Sequence, residues 1–137
     1  MTEDFEPLRK TLQRVFPDTR LKPATEAEVI SLRERYPEVP EHYLAFLSEL
    51  GWGSLGDTFM VYSGLVEPDE IFDPRMTAGL EGLVFLGDTF GGTLVGFDTR
   101  NGWQLIRVDD HTLEVTPEEA RTVGKFLARR VAEQEDV

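Results

Sequence analysis

The fold is decided in residues 39–53, which read VPEHYLAFLSELGWG. Four apolar residues recur there at the spacing i, i+3, i+4 and i+7 and so share one face of a helix: Tyr43, Phe46, Leu47 and Leu50. Pro40 suits the first helical turn, where its missing N–H is not needed, and Gly51 suits a left-handed stop. The stretch therefore predicts an amphipathic helix that opens at proline and ends in glycine.

Apolar periodicity predicts three further helices, at about 3–15, 25–36 and 116–131. Two of them begin with the pattern of a capping box, in which a threonine caps the helix and a glutamate three residues later reaches back. The first pair is Thr25 with Glu28, and the second is Thr116 with Glu119, with Pro117 at the first helical position. We expect residues 134–137 to form a frayed tail.

Between these helices the apolar period falls towards two, which is typical of strands. The candidate strands are residues 58–62, 82–86, 93–98, 103–108 and 113–115. Asn101-Gly102 is a hairpin-turn signal because both residues tolerate positive φ. We expect a short helical turn at 68–72 and a loop at 73–81. The sequence thus predicts a single α+β domain over 1–137, with N-terminal helices, a central antiparallel meander sheet and a closing C-terminal helix.

The stretch 39–53 resembles a motif of the SUKH superfamily, the cell-wall-assembly-regulator-like proteins that are widespread as bacterial immunity proteins. Its pattern is Leu-Pro, two residues, Tyr, two residues, Phe-Leu and a Gly-rich end; here Val39 replaces the leucine, and Gly-Trp-Gly replaces Asn-Gly-Gly. Residues 87–98 resemble a second hallmark, a glycine-bearing turn before a strand ending in Phe-Asp, and Phe126-Leu127 resembles the terminal-helix pair. The resemblance covers about 25–130 and implies a protein-binding domain.

Residues 51–56 also spell G-x-G-x-x-G, the fingerprint of dinucleotide binding. That motif works where a strand precedes it and a helix follows, because the helix N-terminus then meets the pyrophosphate. The predicted order here is helix first and strand second. We therefore interpret the glycines as a turn that needs positive φ.

Composition narrows the function classes. No apolar run approaches the roughly 20 residues of a membrane span, and the acidic N-terminus is unlike a signal peptide. Because the chain has no cysteine, it has no disulfide, thiolate metal site or cysteine nucleophile. We expect a cytoplasmic protein that contacts no membrane.

The net charge is −12, and residues 36–98 carry eleven acids against one base, Arg75. Such a block repels nucleic acid, whose binding depends on neutralised phosphates, and it attracts basic proteins. A solubilising surface is the other reading of the same charge.

Few residues suggest catalysis. The chain has only two histidines, and we expect His42 to lie on the solvent side of its helix. His111 follows Asp109-Asp110, but a turn aspartate usually bonds its own backbone rather than a metal. None of the four serines stands in a G-x-S-x-G elbow. The sequence predicts no catalytic residue, cofactor or metal, and no enzyme.

The leading prediction is a non-catalytic domain that binds a protein partner. The resemblance implies an immunity protein that occludes a cognate toxin domain, which the charge predicts to be basic and nucleic-acid-processing. The candidate partner-binding residues are Trp52, Asp57, Glu67, Asp69, Glu70, Asp73 and Asp88. Trp52, like Trp103, has core packing as its other reading. The alternatives are a regulator or scaffold for other cellular proteins and, third, a small soluble enzyme.

Overall fold

The computed structural model describes residues 4–135, with side chains to Glu133. Within that range the α+β prediction is confirmed: three helices precede a six-stranded antiparallel meander, and a fourth helix closes the chain. The helices are α1 (Glu6–Val15), α2 (Glu26–Arg35), α3 (Glu41–Glu49) and α4 (Val123–Glu135). The strands are β1 (Gly53–Leu55), β2 (Phe59–Val66), β3 (Leu83–Asp88), β4 (Thr93–Asp98), β5 (Gln104–Asp109) and β6 (Val115–Pro117). Glu3, the predicted start of the first helix, lies outside the described residues.

The helix predicted from residues 39–53 forms, with Pro40 as its N-cap rather than in its first turn. Its four stripe residues are at most 7% exposed, and the glycines that follow it have positive φ: Gly51, Gly53 and Gly56. They carry the chain from α3 into the β1–β2 hairpin, which confirms the turn interpretation of G-x-G-x-x-G. A side chain at Gly51 would also collide with the backbone of Lys22, since its Cβ would lie 2.4 Å from the Lys22 carbonyl carbon.

The helices cover one face of the sheet. Each helix contributes apolar side chains to a core shared with the inward-facing residues of β1 to β5, among them Leu55, Phe59, Val84, Phe97 and Leu105.

The Thr25 hydroxyl accepts a hydrogen bond from the Glu28 N–H, and the Glu28 carboxylate accepts one from the Thr25 N–H. The first predicted capping box is therefore confirmed.

The second predicted capping box is wrong. Thr116 and Pro117 belong to β6, where Thr116 pairs with Arg107 of β5, and α4 begins seven residues later than predicted. The Thr122 hydroxyl accepts a hydrogen bond from the Lys125 N–H in the first turn of α4. Pro117 is tolerated because β6 is an edge strand that needs no outward donor. At its other end α4 continues to Glu135, so 134 and 135 are helical; Asp136 and Val137 lie outside the described residues.

The loop predicted at residues 73–81 is more ordered than expected. Three 3-10 turns, Pro68–Glu70, Pro74–Met76 and Ala78–Leu80, fold the connection from β2 to β3. Phe72 and Leu80 pack against Leu83, Phe85 and Ile106 on the sheet face that the helices leave free. This connection thus covers part of that second face.

Candidate protein-binding site

The candidate binding surface is the sheet face opposite the helices, here called the outer face. Strand register places one row of residues across it from β2 to β6: Met60, Asp88, Leu94, Val108 and Val115. The connection 67–82 lies at the end of the face where β2 finishes, and the β3–β4 and β5–β6 turns lie at the opposite end. None of the four α-helices contributes a described side chain to the apolar cluster of this face.

Exposed apolar side chains lie in the loops at both ends of this face and on its edge strand. Among the described residues five large apolar side chains are exposed, and four belong to the outer face or its loops: Ile71, Met76, Phe90 and Val115. The fifth, Ile30, lies on α2. Single exposed apolar residues are common on protein surfaces, and backbone conformation distinguishes Phe90 from the other three.

Phe90 is held in a strained conformation with its ring in solvent. Its φ is 64°, in the left-handed region that non-glycine residues rarely adopt, and 53% of the residue is exposed. The Asp88 carboxylate accepts a hydrogen bond from the Phe90 N–H, and the Thr89 hydroxyl accepts one from the Gly91 N–H. These bonds fix the backbone of the turn that carries Phe90.

Two other large apolar residues also have positive φ, Trp103 at 58° and Leu113 at 61°. Both are half-buried and pack against an apolar cluster, Trp103 on the helix side and Leu113 on the outer face. Packing therefore compensates their strain. Phe90 belongs to neither cluster, so its strain is a reason to look for a function at this position.

The predicted carboxylates are not together at one point. Asp57 lies in the β1–β2 turn, and Asp88 ends β3 beside Met60 at the start of β2. Glu67, Asp69, Glu70 and Asp73 follow the other end of β2. Because β2 has eight residues, about 20 Å separates the two groups. A standard interface of roughly 800 Å² per partner is about 30 Å across and could span both.

Several of these carboxylates are hydrogen-bonded within the chain. Glu67 accepts a bond of 2.5 Å from the Tyr36 hydroxyl, and Asp88 accepts one of 2.6 Å from the Tyr62 hydroxyl. Burial raises the pKa of Tyr36 to about 12, and the bonded Glu67 carboxylate adds to that shift. Burial and Asp88 raise the pKa of Tyr62 in the same way. Both hydroxyls therefore stay protonated and hold their carboxylates in place.

The other four predicted carboxylates divide into two pairs. Glu70 accepts a bond from the Glu67 N–H, and Asp73 binds Arg75, whose side chain and N–H lower the pKa of that carboxyl. Asp57 and Asp69 are exposed and make no hydrogen bond or ion pair with the described residues. Asp57 and Asp69 are thus the carboxylates that a partner could engage without disturbing the fold.

Trp52 belongs to the helix side of the sheet rather than to the outer face. Its backbone pairs with Lys22, and its half-buried ring packs against the helix-side core with the Lys22 ammonium 5.5 Å from the ring centroid. The indole Nε1 is buried and finds no hydrogen-bond partner among the residues that the structure describes. The geometry favours the core-packing interpretation of Trp52.

The expected solvent position of His42 is wrong. The ring is half-buried, lies 5.9 Å from the Phe97 ring, and its Nδ1 accepts a hydrogen bond from the Val123 N–H at the start of α4. Burial lowers the pKa of His42. His42 therefore joins α3 to α4, which its sequence neighbours could not reveal.

The Asp109-Asp110-His111 turn brings three ligand atoms within 4.8 Å of one another. All three residues are exposed, and the Asp109 carboxylate accepts hydrogen bonds from the N–H groups of His111 and Thr112. Those bonds lower the pKa of Asp109. The predicted self-bonding of the turn aspartate is confirmed.

The sequence reasoning missed Phe90 as a candidate site residue. The available signal was a bulky aromatic residue followed by two glycines in a short connection between strands, a position where turn residues are normally small or polar.

Comparisons of the chain with models of known protein families, with curated proteins and with solved structures found no significant match. The likeness to the SUKH superfamily therefore stays a prediction from the motifs quoted above. Among the described helices, none combines the length and apolar content needed to cross a membrane.

Proposed function

We propose that this chain is a non-catalytic protein-binding domain that captures a basic partner on the outer face of its sheet. By the SUKH-like motifs the partner is a toxin domain that acts on nucleic acid, and the chain is its immunity protein. The single observation that carries the proposal is Phe90, a strained and exposed aromatic ring at the border of an acidic, partly apolar face.

Charge and apolar surface have separate roles in this proposal. The loops that border the outer face, residues 56–58, 67–82, 88–92 and 109–114, hold ten acidic residues and one base, a net charge of −9. That base, Arg75, is paired with Asp73. A field of one sign accelerates the encounter with a basic protein. Buried aromatic anchors then slow dissociation, and Phe90 is the anchor we propose.

A regulator or scaffold that binds several cellular proteins is the second candidate, and the same exposed apolar residues would serve it.

A small enzyme is the third candidate. The shifted carboxyl pKa values, those of Glu28, Asp73 and Asp109, are all lowered by hydrogen bonds. These hydrogen bonds favour the ionised carboxylates, whereas a general acid needs a raised pKa, so the binding function is preferred.

The proposal is tested by capture from the native cell extract at low salt, followed by measured binding of the purified partner. We expect one basic protein that elutes as salt rises. The variant Asp57→Lys/Asp69→Lys should bind about tenfold more weakly, mainly through slower association, with a shallower salt dependence. Phe90→Ser should instead raise the dissociation rate.

The matched control is Asp18→Lys/Glu34→Lys, which makes the same change of charge at exposed positions on the helix side. It should lower affinity much less. Equal effects of the two double variants would show that only net charge matters and would remove the outer face as the site. Capture of several partners without salt dependence would favour the regulator instead.

A further inference from the structure

A pocket of about 470 Å³ lies between the end of α2, the start of β3 and the end of β4. This volume is within the usual range for a bound small molecule or side chain. Two aromatic residues, Tyr36 and Trp103, and two carboxylates, Glu38 and Glu67, contribute to its walls. Arg35 lines it as well, so the charged residues at the pocket sum to −1.

The aromatic wall is built by the fold rather than by local sequence. The rings of Tyr36 and Trp103 meet edge to face with centroids 5.9 Å apart, and Trp103 also contacts Phe97 of the core at 5.6 Å. The backbone N–H of Trp103 donates a hydrogen bond to the Asp98 carbonyl in the β4–β5 turn. This bond helps to hold the left-handed backbone of Trp103. The wall is therefore rigid and shaped before any ligand arrives.

The chain already places a guanidinium group against this wall. The Arg35 guanidinium carbon lies 5.3 Å from the centroid of the Tyr36 ring, within the range of a cation–π contact. Its Nη2 lies 3.7 Å from Glu67 Oε1. The side chain of Arg35 is nevertheless 58% exposed, and an ion pair this open contributes little to stability.

We propose that the pocket binds an arginine side chain of the protein partner, whose guanidinium replaces that of Arg35 between Tyr36 and Glu67. The proposal rests on the protein-binding function above. It names the residue type that a basic partner inserts. Arginine fits better than lysine because its planar group stacks on an aromatic ring and forms paired hydrogen bonds with a carboxylate.

The direct test uses the isolated protein and small probes. N-acetyl-arginine amide should shift the NMR signals of the Trp103 indole and the neighbouring backbone, with a Kd on the order of millimolar for so small a ligand. N-acetyl-citrulline amide has the same shape without the charge and should produce no saturable shift. Equal shifts with both probes would overturn the proposal.

Two variants sharpen the test. Glu67→Gln keeps an oxygen that accepts the Tyr36 hydroxyl bond but removes the charge, so binding of the arginine probe should weaken about fivefold. Arg35→Gln removes the internal competitor, so binding should tighten about twofold to threefold. Arg100→Gln is the matched control, because Arg100 is exposed, pairs with Glu81 and does not line the pocket; it should leave probe binding close to that of the natural chain.

Loss of arginine-probe binding in Arg35→Gln would show that Arg35 does not compete with the probe for this site and would overturn the proposal. N-acetyl-aspartate amide tests whether the pocket instead holds an anion through Arg35, and a saturable response to it alone would also overturn the proposal. The two experiments can reject the arginine pocket and the proposed function independently of each other. Capture of a basic partner without any response to the arginine probe rejects the pocket alone, whereas a saturable response without a basic partner rejects the function and leaves an arginine-binding pocket.

Discussion

His42 shows how a single side chain acquires a structural role through its surroundings. Its Nδ1 accepts the Val123 N–H, one of the unpaired donors at the start of α4. A protonated ring could not accept this bond, and its positive charge would face the positive end of the helix dipole. Burial lowers the pKa of His42 further. The folded protein therefore favours the neutral, unprotonated form of His42.

This arrangement predicts a loss of stability in mild acid. The folded pKa lies below the ordinary value near 6.5, so the unfolded chain binds more protons between the two values. The contribution of His42 is fully present above about pH 6.5 and is lost as the pH falls towards the folded pKa. His42→Asn keeps an acceptor at the position of Nδ1 and should remove this loss. Urea titrations between pH 5 and 8 measure it.

Two further histidine variants complete this test. His42→Ala leaves the Val123 N–H unpaired and should cost about 1 kcal/mol at neutral pH. His111→Asn should leave the pH dependence in place, because that ring is exposed on a turn. If His42→Asn and the natural chain lose stability in parallel, His42 is not the group responsible.

The backbone of Phe90 is strained, and neither apolar cluster includes its side chain to compensate the strain. A left-handed backbone costs roughly 1–2 kcal/mol for most residues and less for asparagine. Phe90→Asn should therefore raise the free energy of unfolding by about 1 kcal/mol while it weakens binding of the partner. Leu113→Asn is the control: it has the same backbone conformation but loses its contacts on the outer face, so we expect no gain. Equal or lower stability of Phe90→Asn would contradict the strain.

At the scale of elements, local signals were reliable only where no other segment competed for the residues. Thr25 with Glu28 and Thr116 with Glu119 carry the same pattern, yet only the first pair caps a helix. Thr116 instead pairs with Arg107 across β5 and β6. The ladder between strands satisfies the backbone there, and the chain enters a helix only after the strand is complete.

These two threonines give a matched prediction. Thr25→Ala removes the acceptor of the Glu28 N–H and should destabilise the protein by about 1 kcal/mol. Thr116→Ala should cost less than half as much, because its hydroxyl caps no helix. Denaturant unfolding of both variants measures the difference. Equal losses would mean that Thr116 has a role that the strand pairing does not explain.

At the scale of the whole molecule, the order of strands determines which parts open first. β4 is hydrogen-bonded on both sides, to β3 and to β5, and both of its faces are covered. β1 and β6 are three-residue edge strands. Hydrogen exchange should therefore be slowest at the amides of β3 and β4 and fastest at the two edges. Protection of β6 equal to that of β4 would indicate that another chain covers this edge.

Much of the fold follows from the sequence because its signals are local. The helical stripes, the Thr25 cap and the alternation of the central strands all depend on residues within about seven positions of one another. β1 was missed because its residues lie within the glycine-rich stretch 51–56 that we interpreted as a turn. The hairpin at Asn101-Gly102 was expected, but the positive φ angles fall on Gly102 and Trp103, since the turn is set by bonds to Asp98.

The candidate site was predicted only in its chemistry. Acidic character and a surplus of carboxylates near β2 were visible in the composition. Their division between the two ends of β2, the internal bonds of Glu67 and Asp88, and the separate position of Trp52 depend on contacts between distant parts of the chain. These positions cannot be deduced from the number of charged residues.

The sequence by itself determined the α+β class, most helix and strand positions and the acidic character of the chain, because periodicity and charge are properties of neighbouring residues. Only the tertiary structure decided that His42 caps α4, that Thr116 belongs to a strand, and that Phe90 stays exposed while Trp103 packs. Each of these outcomes depends on which remote group satisfies a backbone bond or covers an apolar surface. Such partners are chosen by the packing of the whole chain.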